Sequence, residues 1–148
     1  MSFMLKLPDE RGEQLRLIAA DKGITIPQVI ESWIQKEIEA GTISADLPGV
    51  DVTSAGPVIR IEASGFAVEV PSAQGPTLAD VLRGAAEMDP SDKDRKRRWL
   101  EGLAALSGVK VQKMAAGVRL VSPITGQVYP LAPGVAADLA SQIERAAE

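Results

Sequence analysis

The side chains that most often carry out chemistry in proteins are missing from this chain, which contains neither histidine nor cysteine. Their absence excludes histidine-based acid–base catalysis, histidine-containing triads, thiolate nucleophiles, disulfides and the His/Cys sites that bind zinc, nickel or copper. Serine, carboxylate and lysine side chains are present, but no pattern places a nucleophile beside a base. No calcium-loop or phosphate-loop spacing occurs either. We therefore predict that the protein is not an enzyme and that it holds no metal or cofactor.

One dense run of positive charge could bind phosphates. It lies in a predicted helix that starts at Ser91, and its members are Lys93, Arg95, Lys96, Arg97 and Arg98. As an electrostatic patch it could serve as a secondary nucleic-acid contact. The alternative is a solvated helix face whose charges are balanced by neighbouring aspartates. Three further basic residues are interpreted as ordinary surface charges: Lys110, Lys113 and Arg119.

Composition indicates a folded protein. The chain has 148 residues, of which 45% are apolar, and its net charge is −4. This length suits one ordinary domain or two small ones. No segment approaches the ~20 consecutive apolar residues that span a bilayer, and the first ten residues do not resemble a secretory signal. We expect a soluble, cytoplasmic protein without a membrane partner.

The first residues predict a strand followed by a helix. Phe3, Leu5 and Leu7 alternate with more polar neighbours, which is the period of a strand with one buried face. Pro8 ends this pattern and suits the first turn of a helix. Gly23 then predicts the end of that helix, because glycine readily adopts the left-handed conformation of a C-terminal cap.

A second, longer helix is predicted after a tight turn, with Thr25 as its N-cap. Its apolar residues recur at helical spacing and are Ile26, Val29, Ile30, Trp33, Ile34 and Ile38. Neither a lone strand nor two short helices can cover this stripe, so the pattern also predicts association with a second copy.

Composition divides the chain into a module over residues 1–42, a linker over 43–57, and an α+β domain over 58–148. The linker prediction depends on its Gly, Pro, Ser and Thr content. The predicted elements of the last region are hairpins over 59–70 and 109–120, helices over 77–88, 91–108 and 134–147, and a strand over 127–131. The two hairpins align without a gap at an offset of 52 residues, so a duplicated hairpin–helix unit is one hypothesis.

The N-terminal residues Ser2-Phe-Met-Leu-Lys-Leu-Pro, Gly23-Ile-Thr and Val29-Ile30 resemble the Arc/MetJ class of ribbon-helix-helix proteins over about forty residues. The resemblance implies an α+β chain in which an N-terminal ribbon-helix-helix forms an intertwined homodimer. A C-terminal α+β domain of β-hairpins and helices would follow.

By the same resemblance, a two-stranded ribbon would enter the major groove of double-stranded DNA. Ser2, Met4 and Lys6 would then contact bases, and Thr25 and Ile26, at the start of the second helix, would bind a phosphate. The implied function is a sequence-selective DNA-binding regulator, as a repressor or as a plasmid or phage maintenance factor.

Three features depart from the family pattern and leave alternatives open. Met4 stands where the family's ribbons carry a polar base-contacting residue, and it could offer only apolar contact. Pro27 removes one N–H from the predicted phosphate site, and residues 1–42 hold five basic and seven acidic side chains, a net charge of −2. In the alternative, the N-terminal module only dimerises, while residues 58–148 bind a protein partner, as in an antitoxin-like protein. Sensing of a small organic effector by the C-terminal domain is a third hypothesis.

Overall fold

The computed structural model of the protein describes residues 3–87, 109–114 and 117–148. Its helices and strands, in chain order, are α1 (Asp9–Lys22), α2 (Ile26–Glu39), β1 (Val50–Ala55), β2 (Val58–Ala63), β3 (Phe66–Pro71), α3 (Gly75–Glu87), β4 (Lys110–Met114), β5 (Gly117–Val121), β6 (Val128–Leu131) and α4 (Pro133–Ala147). A single 3₁₀ turn, Ser72–Gln74, joins β3 to α3. The chain forms two compact units, Met1–Ser44 and Ala45–Glu148, and combines α and β structure.

The predicted N-terminal strand is absent. Residues 3–8 form neither strand nor helix, and the first regular elements are two helices. The prediction of a ribbon-helix-helix fold with an intertwined two-stranded ribbon is therefore wrong. A strand depends on hydrogen bonds to a neighbouring strand, and the strand pairs that the structure describes all lie within residues 50–131. Of the alternating apolar side chains, Leu5 and Leu7 line a surface groove beside α1 and α2, although both are exposed.

Helices α1 and α2 are separated by the turn that the sequence predicted. Gly23 adopts a left-handed conformation with φ 67°, and the N–H of Ile24 donates to the carbonyl of Ala19 at 3.0 Å. Thr25 caps α2: its Oγ1 accepts from the backbone N–H of Gln28 at 3.3 Å, while its own N–H donates to Oε1 of Gln28 at 2.9 Å. This reciprocal pair is a capping box, which fixes the start of α2.

The second unit contains two antiparallel three-stranded sheets, with strand orders β1-β2-β3 and β4-β5-β6. Both predicted hairpins are confirmed, as β2–β3 and β4–β5. Residues 50–55, which fall within the segment predicted as a linker, form β1 and pair with β2. The predicted helix over 91–108 lies outside the described residues.

Within residues 50–87, 109–114 and 117–148, each sheet is followed by a helix, so the order of three strands and a helix occurs twice. The 52-residue offset found in the sequence places β2 on β4 and β3 on β5. The order of the elements instead pairs β1 with β4 and β2 with β5. Because these two alignments differ, duplication stays a prediction.

Helices α3 and α4 pack against each other and against the inner faces of both sheets, forming one hydrophobic core. The largest fully buried side chains of this core are Ile59, Ile61, Leu78, Leu82, Leu120, Leu139 and Ile143. The rings of Phe66 on β3 and Tyr129 on β6 lie 5.7 Å apart between centroids and therefore connect the two sheets. Desolvation by burial raises the pKa of Tyr129.

Polar contacts at the surface of this core hold distant segments together. The buried amide of Gln142 accepts from the N–H of Leu47 and donates to the carbonyl of Val50, each at 3.1 Å. These two bonds fix the chain where it enters β1. On α3, Arg83 forms an ion pair with Glu144 and donates to Oγ of Ser141 at 3.0 Å. Such contacts tie β1 and α3 to the last helix.

Candidate functional site

The most distinctive surface of the first unit is an apolar groove of about 520 Å³, here called the N-terminal groove. It lies between α1, α2 and the segment that precedes α1. The residues that line it are Leu5, Leu7, Arg11, Gln14, Leu15, Ile18, Ile30 and Trp33. Six of these eight side chains are apolar, so the groove is suited to bind apolar groups and offers little to a charged ligand.

Local sequence explains how the groove is formed. Leu15 and Ile18 are three residues apart on α1 and share one helix face, as do Ile30 and Trp33 on α2. The capping box at Thr25 and the left-handed Gly23 set the turn that brings the two helices together.

One polar pair also lines the groove. Nη1 of Arg11 donates to Oε1 of Gln14 at 2.8 Å, across one turn of α1. Each side chain thus supplies a partner for the other, which lowers the cost of placing polar groups beside an apolar surface.

The first unit buries little of its apolar surface. Among its described residues, Ala19 and Val29 are the buried hydrophobic ones. Leu5 is 66% exposed and Trp33 40% exposed, although both line the groove. A unit of this size with so little buried apolar surface is marginally stable without disulfides, a metal or a partner. Covering the groove would therefore stabilise the first unit.

The predicted base-contacting residues are not assembled into a ribbon. Ser2 lies outside the described residues. Met4 and Lys6 belong to the segment before α1, and both are exposed. Neither lines the groove, whereas Leu5 and Leu7 on the same segment do. Lys6 is therefore accessible to an external partner, while its immediate neighbours line the groove.

The predicted phosphate site at Thr25 and Ile26 has few donors to offer. The N–H of Thr25 donates to Gln28 Oε1, and the N–H of Gln28 donates to Thr25 Oγ1, both inside the capping box. Pro27 has no N–H at all. The N–H of Ile26 takes no part in the capping box, but a phosphate that used the N–H of Thr25 or Gln28 as well would displace the box, which is worth about 1 kcal/mol to a helix.

The remaining site predictions concern charge and metals. The proposed secondary patch of Lys93, Arg95, Lys96, Arg97 and Arg98 lies outside the described residues. Within the described residues, no three or more Asp and Glu side chains cluster closely enough to hold a metal ion. In the same part of the chain, no helix is both long and apolar enough to cross a membrane.

The sequence signalled only part of this groove. Ile30 and Trp33 belong to the apolar stripe predicted for the second helix, and Leu15 and Ile18 lie three residues apart, at helical spacing, in the first. The contribution of Arg11 and Gln14 was missed, because a polar pair on a largely polar helix has no distinguishing pattern. The alternation of Leu5 and Leu7 marks both groove-lining side chains, but the pattern predicts the face of a strand instead of the side of a helical groove.

Comparison of the chain with models of known protein families, with curated protein sequences and with solved structures finds no match.

Proposed function

We propose that this protein is a homodimeric interaction protein whose N-terminal groove is covered by a second copy of the same chain. The observation that carries the proposal is the exposure of Leu5 and Trp33 in a unit that buries only two apolar side chains among its described residues. Covering an apolar side chain of this size contributes about 1.5–3 kcal/mol.

The identity of the partner that covers the groove follows from the stability of the first unit. A unit that cannot bury its own core needs a partner whenever the chain is folded. A second copy is always present at equal concentration and carries the same apolar surface, so a two-fold contact would cover both grooves at once. Interfaces of this kind are more apolar than the rest of a protein surface, which fits the composition of the groove.

Hydrogen exchange at low and high protein concentration tests this proposal on the intact chain. Because association stabilises the folded form by mass action, we expect amide protection in α1 and α2 to rise with concentration. At ~0.5 M salt, where contacts between charged surfaces are screened, protection in β2 and β3, which belong to the other unit, should stay constant. Equal protection of α1 and α2 at both concentrations would refute the proposed dimer.

DNA binding by such a dimer is a second candidate function, and the exposure of Lys6 between the groove-lining Leu5 and Leu7 favours it. Two copies would present two Lys6 ammonium groups to phosphates. The weakened phosphate site at Thr25 and the net charge of the module favour the interaction role over this one. In both cases we place the protein in the cytoplasm.

Lys6→Ala tests the DNA-binding candidate on DNA taken from upstream of the coding sequence. Affinity should fall roughly tenfold, and the slope of log K against log salt should fall by about two, one for each Lys6 of the dimer. Lys36→Ala, which removes an equal charge from the last turn of α2, is the matched control. Equal affinities for the Lys6 and Lys36 variants would exclude Lys6 as a DNA contact.

A further inference from the structure

The two sheets of the second unit carry opposite charge on their outer faces. In the first sheet, the inner positions are those whose side chains enter the core, and the alternate positions face outward. The charged residues of this outer face are Asp51, Arg60, Glu62 and Glu69. Three acids and one base give it a net charge of −2, and Arg60 is already paired with Glu62. We call it the acidic face.

The equivalent face of the second sheet is basic and partly apolar. Its register places Lys110 beside Val121, Val121 beside Val128, and Gln112 beside Arg119. The charged residues among its outward positions are Lys110 and Arg119, which give a net charge of +2. We call it the basic face.

Two observations indicate that the basic face is organised for contact. Nε of Arg119 donates to Oε1 of Gln112 at 2.5 Å, which holds the guanidinium on this face. Two apolar side chains of the same face are left in solvent, since Val128 is 50% exposed and Met114 is 40% exposed. Arginine and methionine beside exposed apolar surface are typical of the centre of protein interfaces.

We propose that the basic face docks on the acidic face of a second copy of this chain. Every copy carries both faces, with charges of equal size and opposite sign, so their contact neutralises both. This contact is separate from the N-terminal groove and does not depend on the proposed function. Because single exposed ion pairs contribute ~0–1 kcal/mol, the association is weak and sensitive to salt.

A charge-swap experiment on the full chain tests the proposal, with Leu5→Asp introduced throughout to weaken association through the groove. The basic-face variant carries Lys110→Glu and Arg119→Glu, and the acidic-face variant carries Asp51→Lys and Glu69→Lys. Sedimentation velocity at ~0.02 M salt should show the dissociation constant of each variant alone raised about tenfold or more. A mixture of the two variants should regain the association, and ~0.5 M salt should abolish it.

The control variant carries Lys22→Glu and Lys36→Glu, at exposed positions of the other unit. It makes the same change in net charge as the basic-face variant. It should associate as the parent chain does. Association that survives in either face variant would overturn the proposal. A mixture of the two face variants that fails to associate would also overturn the proposal. The basic face would then bind an acidic partner other than this chain.

Discussion

Replacing Leu5 by Asp is expected to dissociate the dimer, raising its dissociation constant at least about a hundredfold. Leu5 lines the N-terminal groove but is 66% exposed in the single chain, so folding of one copy alone depends little on it. If a second copy covers the groove, each dimer loses two apolar contacts and gains two buried carboxylates. Each lost contact is worth about 1.5–3 kcal/mol and every 1.4 kcal/mol is tenfold in affinity.

Leu17→Asp is the matched control for this prediction. Leu17 lies on α1, is 69% exposed, and does not line the groove. The two substitutions therefore make the same chemical change at nearly the same exposure. Sedimentation velocity over a range of protein concentrations should find Leu17→Asp associated like the unmodified chain. Equal behaviour of both variants would mean that the groove is not the interface.

The second large effect is expected in the core of the other unit. Leu139 on α4 is fully buried among side chains of α3 and of both sheets. Leu139→Ala removes these contacts and leaves a cavity, which should lower the free energy of unfolding of this unit by about 2–5 kcal/mol. Urea unfolding followed by circular dichroism measures this loss as a lower midpoint with an unchanged slope.

Val128→Ala provides the comparison within the same unit. Val128 lies on β6 with half its side chain in solvent, so its truncation should change the free energy of unfolding by less than about 0.5 kcal/mol. If Leu139→Ala were as mild as Val128→Ala, the packing of α4 against α3 and the sheets could not be the main source of stability.

Local signals in the sequence were enough to predict the elements whose ends are set by neighbouring residues. Gly23 and Thr25 define the turn between α1 and α2 through bonds that span five residues or fewer. The hairpin of β2 and β3 is similarly local, because its strands alternate buried and exposed side chains around Ser64 and Gly65.

Strand β1 could not be found in this way. Its segment contains the Gly, Pro, Ser and Thr residues that usually mark a linker. The segment becomes a strand because β2 pairs with it, and because Gln142, 92 residues from Val50, holds its first residue in place. Partners so distant in sequence leave no trace in local composition.

The error at the N-terminus has a related cause. The alternation of Leu5 and Leu7 with Lys6 indicates only that the two leucine side chains lie in a different environment from the lysine. The alternation does not indicate whether that environment is the face of a sheet or a pair of helices. The groove beside α1 and α2 accounts for the pattern without strand pairing, and the proposed partner surface therefore consists of apolar side chains instead of a polar ribbon.

Sedimentation equilibrium of the unmodified chain tests the central claim most directly. At ~0.5 M salt, contacts between charged surfaces are screened while apolar contacts persist, so the measurement isolates the groove. We predict a mass twice the 15.6 kDa of one chain, falling toward a single chain only on strong dilution. A mass of one chain at every concentration would contradict the account, because the N-terminal groove would then stay uncovered by a second copy.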